Sequence, residues 1–251
     1  MKKSQAVICT ILIFALMAGC ATRTAFVRED NAGSILIYGD SITWGYVPLA
    51  KLPFERYPFS VRWTGILQKE LGSGYTIIEE GLNSRTAGVD DFPELDPGIQ
   101  GDLNLNGRPS FLPIIHSHEP LALIVIFLGA NDVRPYQKQT LEDIRNSITQ
   151  LIRIAKLGAY ISSPKILLVA PPPLGPGQHE GLNSIFEGGG YELSAQLAPL
   201  YREIALSEGI EFFDAGSAAS VKDSIDGVHF DKEENQKFGK ALAVKIREIL
   251  P

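Results

Sequence analysis

"ALIVIFLG", residues 122–129, is an unbroken apolar run that ends on a glycine. It has no polar–apolar alternation, and it is rich in β-branched residues and leucine, as expected of a strand covered on both faces in a parallel sheet. "KILLVAP", residues 165–171, repeats the pattern. Working outward, strands are expected at Ser34–Tyr38, Tyr75–Glu80, Leu121–Leu128, Lys165–Ala170 and Ile210–Phe213. Helix-period segments lie between them at Ser60–Leu71, Leu141–Leu157, Tyr191–Ser207 and Asp231–Leu250. In the second of these, Leu141, Ile144, Ile148, Leu151, Ile152 and Ala155 form one apolar stripe behind a Thr140-to-Asp143 cap pattern. Asp231, with Glu234 three residues later, opens the last. Strand and helix in alternation predict a three-layer α/β domain with a mostly parallel five-stranded sheet. Two stretches break the rhythm: residues 82–120, rich in Asn, Asp, Gly and Pro, and residues 171–190, with "PPPLGPGQHEG" and "EGGG". Connections that long build sites, lids or interfaces.

The N-terminus narrows the setting. "MKKSQAVICTILIFALMAGC", residues 1–20, has two lysines, a short apolar middle and small residues before a cysteine. This is a secretory signal of lipoprotein type, with Met17 where leucine is more usual. Its apolar run is shorter than the roughly 20 residues that span a bilayer. The expected organisation is a signal at 1–19, a lipidated Cys20 and linker at 20–33, and a domain at 34–251, held by lipid in the cell envelope. An uncleaved anchor, or an ordinary signal cut nearby, would use the same residues. Cleavage removes Cys9 and lipid occupies Cys20, so no thiol remains for a disulfide, a metal or catalysis. The mature chain has 21 basic against 29 acidic residues. Such an acidic domain is a poor partner for nucleic acid and for anionic membrane surfaces.

Ligands of open α/β sheets sit beyond the carboxyl ends of the strands. The residues there are Gly39-Asp40-Ser41, Gly81-Leu82-Asn83-Ser84-Arg85, Gly129-Ala130-Asn131-Asp132, the proline-rich stretch after Ala170, and "DSIDGVHFD" with Asp226 and His229 three apart. Acyl transfer needs a hydroxyl, a base, a carboxylate that orients the base, and donors for the oxyanion. Ser41 supplies the hydroxyl, although a serine at a strand-to-helix turn also serves as a helix cap. One helical turn from 226 to 229 would put Asp226 and His229 on the same face. Asn131 offers an amide, and turns of small residues expose the backbone N–H groups of Ser41 and Ser84.

"GDSITWG", "GLNSRT", "GAND" and "DGVHF" resemble the four blocks of the SGNH, or GDSL-type, hydrolase superfamily. "WGYVP", "VRWTGIL", "LNGRPSFLP" and "PKILLVAPPPLGP" are similar to its small arylesterase/acyltransferase branch. The resemblance covers about residues 34–250 and implies a flavodoxin-like SGNH fold with no cofactor and no metal. It further implies Ser41 as nucleophile, His229 as base, Asp226 as its orienter, and an oxyanion hole from Ser41, Ser84 and Asn131. Trp44 would wall a small acyl pocket, the alternative being that it packs the first helix turn. Small-molecule ester and alcohol substrates follow, as does a homo-oligomer whose contacts use the 82–120 stretch. An envelope esterase for O-acetylated carbohydrate, or a non-catalytic binding lipoprotein on the same fold, are the alternatives. Glycine usually stands where this chain has Ser84, so the serine must accept that position's φ and ψ. The lipoprotein leader also departs from the branch.

Other polar residues are expected to be structural. Asp40 braces its loop, the His116, His118 and Glu119 group lacks a third ligand at metal-binding spacing, and His179 is solvated. Arg85 contacts substrate or ties down the long connection.

Overall fold

Parallel strands must be joined by crossovers, and helices make most of them here. In chain order the elements are β1 (Gly33–Gly39), α1 (Ser41–Trp44), α2 (Trp63–Leu71), β2 (Tyr75–Gly81), α3 (Gly107–His118), β3 (Leu121–Phe127), α4 (Leu141–Gly158), β4 (Lys165–Ala170), α5 (Gly190–Ser194), α6 (Leu197–Glu208), β5 (Glu211–Asp214) and α7 (Lys232–Ile249). The structure, a computed structural model, describes residues 33–48, 55–91, 104–178 and 184–251. The signal segment, Cys20, nearly all of the linker and His179 lie outside these.

The sheet order is β2-β1-β3-β4-β5, and every adjacent pair is parallel. This is the flavodoxin-like order, and it makes the carboxyl ends of β1 and β3 the switch point where ligands collect. The central runs are covered on both faces, as their lack of alternation predicts: Ile35 to Tyr38, Leu123 to Phe127 and Leu167 to Ala170 are all buried. Helices α2 and α7 pack together, and α3, α4 and α6 pack in a row. The Trp63 indole ties α2 to the turn after β1, donating from Nε1 to the Ile42 carbonyl at 3.1 Å. Its ring centroid lies 4.9 Å from Phe238 and 6.0 Å from Phe127, so an aromatic cluster stands under that turn.

Two expectations are corrected. Residues 82–120 are not one irregular connection, because they contain α3. Pro109 and Pro113 hide this helix from a propensity reading, yet Pro109 falls in the first turn, where a missing N–H costs nothing. Asn106 caps it by accepting from Arg108 N at 3.0 Å, and Gly107, Phe111 and Ile115, each four residues from the next, form its buried stripe. The single helix expected at 191–207 is two, α5 and α6. Ser194 Oγ bonds back to the Tyr191 carbonyl at 2.7 Å and accepts from Leu174 N at 2.9 Å. Such back-bonding diverts a helix from its regular ladder.

Candidate active site

Glycine at the ends of β1 and β2 lets the first turn sit tightly on the sheet. A Cβ on Gly81 would lie 2.3 Å from Trp44 N. Asp40, not Ser41, caps α1: its Oδ1 accepts from Ile42 N at 2.9 Å. The capping alternative for Ser41 is thereby removed, and its hydroxyl is free to face elsewhere. It faces His229, with Oγ 2.8 Å from Nε2.

On the far side of the ring, His229 Nδ1 lies 2.6 Å from Asp226 Oδ2. Asp226 Oδ1 accepts from the backbone N–H groups of Val228 at 3.0 Å and His229 at 2.9 Å. Burial alone would raise the Asp226 pKa, but the facing His229 and these hydrogen bonds outweigh it and hold the carboxyl below its usual range. An ionised carboxylate only accepts, so the proton sits on Nδ1 and Nε2 presents a lone pair to Ser41. The expected helical turn is absent: residues 222–229 form turns and bends, and α7 starts at Lys232. Asp226 makes the loop itself by accepting from the N–H groups two and three residues on, while the Gly227 N–H donates to Ser224 Oγ at 3.0 Å.

The proline-rich stretch after β4 braces this loop. Gly175 N donates to the Gly227 carbonyl at 3.0 Å, and Gln178 N to the Ser224 carbonyl at 3.2 Å. Gly227 has a φ of 69°, and a Cβ there would meet the Gly175 oxygen at 2.0 Å, so no other residue fits. Tyr46 stacks on the His229 ring with centroids 4.2 Å apart. Trp44 is half-buried beside Tyr46, with the Arg56 guanidinium 5.2 Å over its ring.

Ser84 adopts a φ of +62°, the left-handed region that glycine favours. Serine accepts the position, and the backbone N–H groups of Ser41 and Ser84 have no acceptor among the described residues. Asn131 is buried; its Nδ2 donates to the Arg85 carbonyl at 3.0 Å and its Oδ1 accepts from Arg134 at 2.6 Å. Arg85 is a tie: it donates to the Gly39 carbonyl at 2.9 Å and to the Glu80 carbonyl, with its guanidinium 4.1 Å over the Tyr38 ring.

Two carboxyls under the site are fully buried. Burial pushes Asp40 up to about 6 and Asp132 up to about 7, against the hydrogen bonds each accepts from backbone N–H groups. Asp132 accepts from Ala87 N at 2.9 Å and so joins the loops after β2 and β3. Farther off, His118 pairs with Glu80 at 2.8 Å and His116 packs on Tyr160. No group of three or more His, Cys, Asp or Glu is placed to hold a metal among the described residues.

Sequence reasoning missed Tyr46, Asp91 and Arg134. An aromatic two residues after Trp44 was a signal for the first. Nothing local marks Arg134, whose carboxylate partner Asp91 comes from the loop after β2.

A parallel sheet in this order, with a serine, a histidine and an aspartate hydrogen-bonded in series at its carboxyl edge, defines a hydrolase of the SGNH class. The chain belongs to the GDSL-like lipase/acylhydrolase family, whose profile matches residues 37–236. Among solved structures it is similar to an aryl esterase of M. smegmatis, at 38% identity and a TM-score of 0.78, covering 87% of this chain and 100% of that one. A carbohydrate acetylesterase from Sinorhizobium meliloti is 40% identical with a TM-score of 0.77, over the same shares of 87% and 100%. An acetylxylan esterase of Xylanibacter ruminicola is 23% identical over 239 residues, 87% of this chain but 44% of that protein, so this chain spans less than half of that relative. No helix among the described residues is long and apolar enough to cross a membrane.

Proposed function

We propose that this protein is a serine esterase for short-chain, acetyl-like esters that works through an acyl-enzyme. The observation that carries this reading is the relay from Ser41 Oγ through His229 to Asp226, with contacts of 2.8 and 2.6 Å. Ser41 Oγ attacks the ester carbonyl carbon as its proton passes to His229 Nε2. The oxyanion is met by the N–H groups of Ser41 and Ser84 and by the Asn131 amide. His229 then returns the proton to the leaving alkoxide, and Ser41 remains acylated. Water, an alcohol or a peroxide takes the acyl group by the same steps in reverse. Trp44 and Ser84 narrow the pocket toward small acyl groups. The SGNH fold domain is held in the envelope by lipid on Cys20 and assembles as a homo-oligomer through the 82–120 stretch, part of which lies outside the described residues.

The test is hydrolysis of p-nitrophenyl acetate and octanoate by the purified chain, with and without an alcohol, beside Ser41→Ala. Acetate turnover well above octanoate, and a loss of roughly a thousandfold or more in the variant, are expected. Ester product in the alcohol arm marks transfer. Equal, near-background rates for both proteins would retire the reading and favour a binding lipoprotein.

The similarity to a carbohydrate acetylesterase and to an acetylxylan esterase supports a second reading, in which the acyl donor is an O-acetylated carbohydrate. Release of acetate from acetylated xylan at a kcat/KM above that for p-nitrophenyl acetate would select it.

A further inference from the structure

The Asn131 side chain has one acceptor oxygen and two N–H donors. Its oxygen accepts from Arg134 Nη2 at 2.6 Å, and one N–H goes to the Arg85 carbonyl at 3.0 Å. That leaves a single N–H. A guanidinium only donates, so the amide atom facing Arg134 must be the oxygen, and the two ends of the amide cannot exchange.

Arg134 is itself held from behind. Its Nη1 donates to Asp91 Oδ2 at 2.6 Å, and the same oxygen accepts from Tyr136 Oη at 3.0 Å and Gln137 Nε2 at 3.0 Å. The two side chains of the ion pair are 8% and 13% exposed, so solvent screens the cation little. Its guanidinium carbon lies 5.8 Å over the Phe186 ring. Among the described residues Arg134 makes no hydrogen bond to Ser41, Asp226 or His229. Among the described residues its hydrogen bond toward the site is the one to Asn131, and its charge also acts on the buried Asp40 and Asp132 carboxyls.

We infer that Arg134 is the positioning residue of the oxyanion site, fixing the direction of the last Asn131 N–H and increasing its polarity. The inference rests on the role given to Asn131 in the proposed function. A cation on the oxygen of an amide draws electron density from its nitrogen, which strengthens the remaining donor where negative charge develops. Without it the Arg85 carbonyl alone holds the amide, and the direction of the remaining N–H is less tightly fixed.

A mutant cycle on the full chain tests this with p-nitrophenyl acetate, the fold of each variant being checked by near-UV circular dichroism. Arg134→Gln should lower kcat by roughly 10- to 100-fold and change KM less than about twofold, because the donor acts in the transition state. Arg134→Lys should restore most of the rate, since an ammonium also donates to the amide oxygen. Asn131→Ala should lose about 100- to 1,000-fold. Adding Arg134→Gln to Asn131→Ala should cost nothing further, because a residue that acts through another is silent once that other is gone. Should Arg134→Gln fail to fold, Asp91→Asn keeps the cation and loosens its anchor, and the same cycle is run with it. Factors that multiply in the double variant, or a kcat for Arg134→Gln within about twofold of the parent, would overturn the inference. A normal kcat for Asn131→Ala would overturn the oxyanion reading itself, and with it the role given to Arg134.

Discussion

The loops after β1 and β5 build one half of the site and those after β2 and β3 the other, by different means. Ser41, His229 and Asp226 are joined side chain to side chain, and Asp226 is fixed by the N–H groups of Val228 and His229. Ser84 and Asn131 depend on a left-handed backbone and on a guanidinium anchored by Asp91. In the proposed function the first group is the proton relay, whose Asp226–His229 pair is set within one loop, and the second supplies the oxyanion donors, of which Asn131 is held through Arg134 by Asp91, 43 residues from that arginine. Substitutions within the relay should remove chemistry and spare the fold, whereas substitutions around the donors should mix the two.

The largest break in that comparison is Asp226→Asn. Oδ1 accepts two backbone N–H groups, so an asparagine keeps its oxygen there and turns its NH2 toward His229 Nδ1. The imidazole then carries its proton on Nε2 and has no lone pair for Ser41. Activity should fall on the order of 10⁴-fold while the fold persists, its melting temperature lowered modestly by loss of the stabilised carboxylate. A loss under about tenfold would mean that the backbone alone orients the ring.

Ser84→Gly sharpens the other half. Relief of a left-handed serine, about 1–2 kcal/mol, exceeds the added unfolded-state freedom of glycine, about 0.5–1 kcal/mol. A rise of about 1–4 °C in melting temperature follows for a chain of this size, read by calorimetry. A fall would show that the serine side chain makes a stabilising contact.

The smallest effect concerns pH. Asp40 lies under the relay and Asp132 under the donors, with folded pKa values raised to about 6 and about 7 from 3.8. A carboxyl raised by folding contributes most below its unfolded pKa, and that contribution is lost as pH rises through the folded value. The urea midpoint should therefore fall between pH 4 and about 7, and fall less in Asp132→Asn. A midpoint independent of pH across that window would show both carboxyls to be ionised in the fold.

The same division separates what was legible in the sequence from what was not. Glycine, aspartate and serine in succession after an apolar strand, and aspartate three residues before histidine, are short-range patterns, and the strands carry them to one edge. Runs without alternation marked the buried strands for the same reason. Helix α3 was hidden because its prolines look like breakers until one knows that Asn106 is the cap and Pro109 lies in the first turn. The break between α5 and α6 depends on Leu174, which approaches only in the folded chain. The torsion of Ser84 has no sequence signature beyond the glycine expected there, and Arg134 acquires meaning only beside Asp91.

Ser41 and His229 are 188 residues apart, one just after the first strand and the other beyond the last. Among the described residues all five strands lie between Gly33 and Asp214, so the base reaches the site from beyond the last strand. The two meet only when both ends of the fold are in place, so recovery of hydrolysis on refolding reports the assembled fold, whereas recovery of far-UV circular dichroism reports secondary structure alone.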